Sequence, residues 1–240
     1  MTIARILKGM AAGIFVLSLP VLFGTLSLRW LVADVGWYRD GFQKNGVSER
    51  TGISPQELDR SAGQISRYLL LQADNVDIPV TIRGQVRALF NDRELKHMVD
   101  VRNLLARFYT LQVAAAGYAV VYLLASRLWH RGDYWQALGR KLRWGGGLTI
   151  GLFAAFGALS MVDFDELFLR FHLVSFNNDF WMLDPTRDNL VMMFPQDFWY
   201  DSTIRLSVAT GAQALGAALA GTILTRLPWS GEKRKEYAEG

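Results

Sequence analysis

The stretch Met10-Ala11-Ala12-Gly13-Ile14-Phe15-Val16-Leu17-Ser18-Leu19-Pro20-Val21-Leu22-Phe23-Gly24-Thr25-Leu26-Ser27-Leu28 carries no charged side chain. At ~1.5 Å per residue it is long enough to cross a ~30 Å hydrocarbon core. Arg5 and Lys8 precede it, so a secretory signal fits the same pattern. The run exceeds an ordinary signal core, however, and no small-x-small cleavage site follows it. The reading is an uncleaved spanning helix over 8–30, kinked at Pro20, a break that membrane helices tolerate.

Three further runs are predominantly apolar, with charged residues near their ends. They predict spans at 105–128, 144–163 and 204–227. The last contains Gly211, Gly216 and Gly221, a spacing that is not a strict GxxxG seam. Such residues either allow close helix approach or are simply common in spans. The whole chain of 240 residues is 51% hydrophobic and 20% charged, with a mean hydropathy of +0.13. Apolar runs alternating with charged segments give that average, as in a helical membrane protein with sizeable extramembrane parts. The expected fold is all-α and integral to the membrane, one membrane domain over 1–240 with a largely helical extracytoplasmic portion. There is no cysteine. This excludes disulfides, thiol nucleophiles, thiolate metal sites and cysteine lipidation.

Lys and Arg next to the spans set the orientation. The 129–143 connection, with Arg127 just before it, holds Arg131, Arg140, Lys141 and Arg143 against Asp133. The tail, 228–240, holds Lys233, Arg234 and Lys235 just after Arg226. Both should face the cytoplasm with the N-terminus, and the tail reads as disordered. Segment 164–203 is acidic and should lie outside, with 31–104 on the same side. In 31–104, Ser54-Pro55-Gln56-Glu57 reads as a capped helix start. Leu58, Ile65, Leu69 and Leu70 follow as a helical stripe. Asp77-Ile78-Pro79 breaks that helix, and another pattern begins near Asn91 and runs into the second span.

Two of the three histidines fall in the outer segments. His130 lies in the basic connection and reads as an interfacial side chain. His97 lies in Glu94-Leu95-Lys96-His97-Met98-Val99-Asp100-Val101-Arg102. On a helix Asp100 shares its face, and a carboxylate there can fix an imidazole tautomer. His172 lies in Phe171-His172-Leu173-Val174-Ser175-Phe176-Asn177-Asn178-Asp179-Phe180-Trp181. That is either an interface belt or a pocket for a lipid head group. Two converging imidazoles could divide a proton transfer, worth ~10²–10⁴-fold. With Asp100 and Asp179 they could instead hold zinc, although the spacing is not a known metal signature.

The pattern His97-Met98-x-Asp100-Val101-Arg102 is followed by Phe171-His172-x-x-x-Phe176-x-Asn178-Asp179-x-Trp181-x-x-Asp184-Pro185-x-x-Asp188-x-Leu190 and by Phe194-Pro195-x-x-Phe198. Together they resemble the bacterial lipoprotein intramolecular transacylase family. Arg102 stands where many relatives carry Lys, and 30–90 is similar only in length and character. The resemblance implies an acyltransferase of the bacterial cytoplasmic membrane with its active site on the extracytoplasmic face. Its substrate would be a diacylglyceryl-modified lipoprotein. The sn-2 acyl chain would move to the N-terminal α-amine, giving the lyso form. No metal, nucleotide, acyl-CoA or nucleic acid is implied. His97 and His172 are the expected catalytic pair, His97 as base and His172 as acid or the reverse. Asp100, Arg102, Asn178, Asp179 and Trp181 are the expected supporting or substrate-binding residues. The alternatives are another membrane acyltransferase, a lipid hydrolase using the same histidines, or a non-enzymatic membrane binding or sensor protein.

Overall fold

A computed structural model describes residues 3–82, 84–130 and 132–227. Arg131 and the tail at 228–240, including its expected disorder, lie outside the described residues. The described chain runs α1 (Ile3–Ala33), α2 (Val35–Lys44), α3 (Val47–Thr51), α4 (Pro55–Leu69), β1 (Pro79–Ile82), β2 (Gln85–Ala88), α5 (Asp92–Trp129), α6 (Tyr134–Val162), α7 (Phe164–Ser175), α8 (Asn189–Met193) and α9 (Gln196–Arg226). Among the described residues four helices, α1, α5, α6 and α9, are long and apolar enough to cross a membrane. Each extends past its apolar run. Once a span has formed, adding a residue costs one residue's ordering for one more hydrogen bond. α1 runs on through Pro20.

The chain divides into two compact units. The first comprises the described parts of 1–27, 110–156 and 207–240, the bulk of the four long helices. Small residues hold it together. A Cβ added to Gly139 would lie 2.6 Å from the carbonyl oxygen of Gly221, and one added to Gly221 would lie 2.6 Å from that of Gly139. A Cβ on Gly146 would lie 2.6 Å from the Ala214 carbonyl. The backbones of α6 and α9 therefore touch, a geometry open only to the smallest residues. Gly211 and Gly216, by contrast, would meet nothing, so only Gly221 of the three spaced glycines serves a seam. Phe15 stacks on Tyr122 with ring centroids 4.4 Å apart.

The second unit comprises 28–109 and 157–206. It has an apolar core of the kind found in water-soluble proteins, including Phe42, Val47, Ile53, Leu58, Ile65, Ile78, Met98, Met193 and Phe194. Ser54 accepts from the Glu57 amide and Pro55 stands at the helix start, as the sequence predicts for α4. Leu58, Ile65 and Leu69 are buried along it, while Leu70 caps its end. The β1–β2 hairpin is absent from the sequence reading. It pairs Pro79 with Ala88 through Ile82 with Gln85, turning at Gly84 with φ +80°. Glu57 accepts the Thr81 amide at 2.9 Å and Arg60 donates to the Pro79 carbonyl at 2.7 Å, fastening the hairpin to α4.

Candidate active site

His97 sits in the second turn of α5, eight residues ahead of the predicted span. Met98 beside it is a core residue. The apolar face of α5 thus draws His97 inward. His172 lies near the end of α7 and is the buried residue of that helix. Each histidine is only 7% exposed. Their ring centroids are 6.0 Å apart, with the planes inclined at 33°.

Aromatic rings surround the pair. The Phe176 ring lies against His97 at 5.2 Å, while those of Phe168 and Trp181 lie 4.4 Å and 5.0 Å from His172. This enclosure removes water, which disfavours the imidazolium form. Burial, with the neighbouring His172 adding to it and Asp100 opposing it, lowers the His97 pKa to about 4. Burial also lowers that of His172, against a backbone hydrogen bond that favours its charged form. Near neutral pH both rings are uncharged.

One contact distinguishes the two imidazoles. His172 Nδ1 lies 2.8 Å from the Phe168 carbonyl oxygen, one turn earlier on α7. A carbonyl can only accept, so Nδ1 carries the proton and Nε2 of the neutral ring holds the lone pair. His97 Nδ1 is buried without a hydrogen-bond partner among the described residues. An orphaned N–H is rarer than an orphaned acceptor. The neutral ring of His97 is therefore assigned its lone pair at Nδ1 and its proton at Nε2. The pair offers one proton acceptor and one N–H donor.

The expected supporting residues divide into two groups. Asp100 does not hydrogen-bond His97. Its carboxylate accepts from Asn178 Nδ2 at 2.9 Å, linking α5 to the loop after α7. Asn178 then organises that loop. Its Oδ1 accepts from the Phe180 amide at 3.0 Å and its carbonyl from the Trp181 indole at 2.9 Å. The indole N–H is thereby engaged, and Trp181 contributes its ring face to His172. Asp179 pairs with Arg93 at 3.6 Å. Asp100, Asn178, Asp179 and Trp181 thus form one strap across the histidines.

Arg102 stands apart from them. Five residues beyond His97 on one helix, it points ~140° away. Its guanidinium donates to the Tyr68 carbonyl at 3.3 Å and the Ala73 carbonyl at 3.1 Å, and stacks 5.1 Å over the Tyr68 ring. It secures the end of α4. Among the described residues no group of three potential metal ligands occurs.

The sequence reading missed two features. The Phe168 carbonyl was visible only as the residue four before His172. Glu94, 1% exposed, accepts the amides of Asn91 at 2.7 Å and Leu190 at 2.6 Å. One carboxylate thus caps the starts of α5 and α8. Burial raises its pKa, opposed by those amide bonds. Asn91 also donates to Asp188 at 2.9 Å. Asn91-x-x-Glu94 is itself a capping pattern.

The sequence profile of the family described as lipoprotein intramolecular transacylase Lit matches residues 13–199. An uncharacterized protein of Aquifex aeolicus (strain VF5) is 31% identical over 195 residues, 81% of this chain and 85% of that protein. The in meso structure of the lipoprotein intramolecular transacylase Lit from Bacillus cereus superposes with a TM-score of 0.79 at 19% identity. It covers 95% of this chain and 98% of that one. A structure of the same Bacillus cereus protein with a histidine changed to alanine gives 0.76 at 18% identity, with 97% of each chain covered. The fold is shared throughout, and the chain belongs to the lipoprotein intramolecular transacylase Lit family.

Proposed function

We propose that this protein moves the sn-2 acyl chain of a diacylglyceryl-cysteine lipoprotein to the α-amine of the same cysteine. The observation that carries the reading is the two buried imidazoles 6.0 Å apart, with His172 Nδ1 held by the Phe168 carbonyl and His97 Nδ1 without a partner among the described residues.

The α-ammonium, of pKa ~7.7–8.0, first loses a proton. The free amine attacks the ester carbonyl, forming the C–N bond. His172 Nε2 takes the surplus proton from nitrogen. The imidazolium so formed delivers it to the glyceryl oxygen as the C–O bond breaks. One proton thus passes from nitrogen to oxygen and the ring returns to neutral. His97, held neutral by burial, presents Nε2–H to the oxyanion. A second imidazolium beside the first would be repelled, so only one of the pair charges during turnover. This division differs from the base-and-acid split first expected from the sequence. Substrate and nucleophile are one molecule, so much of the entropic cost is already met.

The charge asymmetry supports an extracytoplasmic placement of the histidines and a cytoplasmic placement of the chain ends, the family supports the bacterial cytoplasmic membrane as location, and all three belong to the same proposal. Incubation with a synthetic diacylglyceryl-cysteinyl peptide tests it. Intramolecular transfer leaves the mass unchanged and moves the acyl group to nitrogen, which fragmentation locates. A 1:1 mixture of isotopically heavy and light peptides should give no crossover product. A peptide lighter by one acyl group, with free fatty acid released, would assign the site to hydrolysis instead.

A further inference from the structure

We propose that the first unit carries a separate binding site for one acyl chain of an anionic phospholipid, with the lipid phosphate on Lys141. A groove of about 460 Å³ runs between α1 and α6, floored by Gly9 and Gly13 and walled by Leu17, Trp144 and Leu148. That volume is within the ~300–1,000 Å³ of small-ligand sites. A Cβ added at Gly9 or Gly13 would meet nothing within 4 Å. The space over these glycines is therefore not used by helix packing, unlike that at Gly139 and Gly221. From Gly9 to Leu17 the groove extends ~12 Å along the helix, close to the depth of one leaflet's hydrocarbon.

Charge selects the occupant. Lys141 lines the groove and is, of its α6 residues, the one nearest the start of that helix. Among the described residues no carboxylate is within ion-pair distance of its ammonium; Asp133 instead pairs with His130 and Arg140. An amine in an apolar groove without a counter-ion among the described residues is matched by the net negative charge of an anionic lipid, which phosphatidylcholine, its phosphate offset by choline, does not supply. Trp144, 73% exposed, supplies the amphipathic ring typical of the head-group level. Both walls run inward from the basic ends of their helices, so head group and chain enter in the order the residues require.

Native mass spectrometry of the full chain from nanodiscs of equal phosphatidylglycerol and phosphatidylcholine tests this. The wild type should retain one lipid, phosphatidylglycerol being favoured about five-fold, the preference one interfacial lysine confers. Lys141→Gln should keep a bound lipid and lose the preference. Gly13→Leu, which fills open space, should lose the retained lipid while remaining monodisperse. Equal retention of both lipids by the wild type, or an unchanged preference in Lys141→Gln, would overturn the proposal. So would a dimer that Gly13→Leu dissolves, because the groove would then be a helix seam between copies. The readout involves no acyl transfer, so its failure is separate from failure of the transacylase reading.

Discussion

The two units solve opposite problems with the same polypeptide chemistry. In the first, apolar side chains gain little by leaving lipid, so contact comes from shape. Gly139, Gly146 and Gly221 bring backbones together. In the second, a water-type apolar core does the work and leaves polar groups free for specific bonds. Glu94, Asn178 and Arg102 each serve two or more backbone or side-chain partners there. The histidine pair therefore lies where hydrogen bonding can be made precise. Function and stability should separate by unit, and within the second unit by residue.

The largest expected effects fall on the histidines. His172→Ala and His172→Gln should both lower the acyl-transfer rate by ~10²–10⁴-fold, because neither replacement can carry a proton at neutral pH. His97→Ala should lose ~10²–10³-fold, as for removal of one oxyanion donor. His97→Gln retains an N–H and should recover at least about ten-fold over the alanine variant, worth ~1.4 kcal/mol. Equal inactivity of His97→Gln and His97→Ala would show that His97 must itself titrate. Single-turnover rates on the synthetic peptide make the comparison.

Next comes Asn178→Ala, which should cost about ten-fold in rate. It removes a hydrogen bond to the Asp100 carboxylate, worth ~1.5–3 kcal/mol, and loosens the strap that carries Trp181. Arg102→Ala should instead lower stability by ~1.5–3 kcal/mol, through its two carbonyl bonds and the Tyr68 stack, with little change in rate. Thermal denaturation in detergent beside an activity assay separates the two. If Arg102→Ala proved silent in stability and dead in catalysis, its assigned role as an anchor would fail.

The smallest effects concern pH. His97 titrates near 4 in the folded protein against 6.5 unfolded. Between these values the unfolded chain binds more protons, so stability falls as pH drops through that window and is fully present above about 6.5. His97→Phe should flatten that dependence. The acyl-transfer rate should follow the substrate amine, rising up to ~7.7–8.0 and then levelling. An added inflection near 6.5 would mean that one imidazole titrates at its ordinary value.

Four apolar runs made the spanning helices legible, since few other structures tolerate them. Ser54-Pro55-Gln56-Glu57 made the start of α4 legible, because capping is local chemistry. The hairpin at 79–88 was not, because its strands are four residues each and only Val80 is deeply buried. The histidines could be chosen as candidates, but their 6.0 Å approach depends on how α5 and α7 pack. The Asp100 assignment shows the limit of spacing arguments. Helical periodicity gave it the right face, and Asn178, 78 residues on, took its carboxylate. The tautomer of His172 was illegible in sequence, because any residue at 168 would present the same carbonyl.

The most direct measurement is fragmentation mass spectrometry of a reporter lipoprotein's N-terminal peptide. The host would lack other N-acylating enzymes and express the wild type, His97→Ala or His172→Ala. The wild type should give an N-acyl, S-monoacylglyceryl peptide and each variant an unmodified diacylglyceryl peptide. An N-acyl product from either variant at the wild-type level, with membrane expression equal, would contradict the two-histidine site.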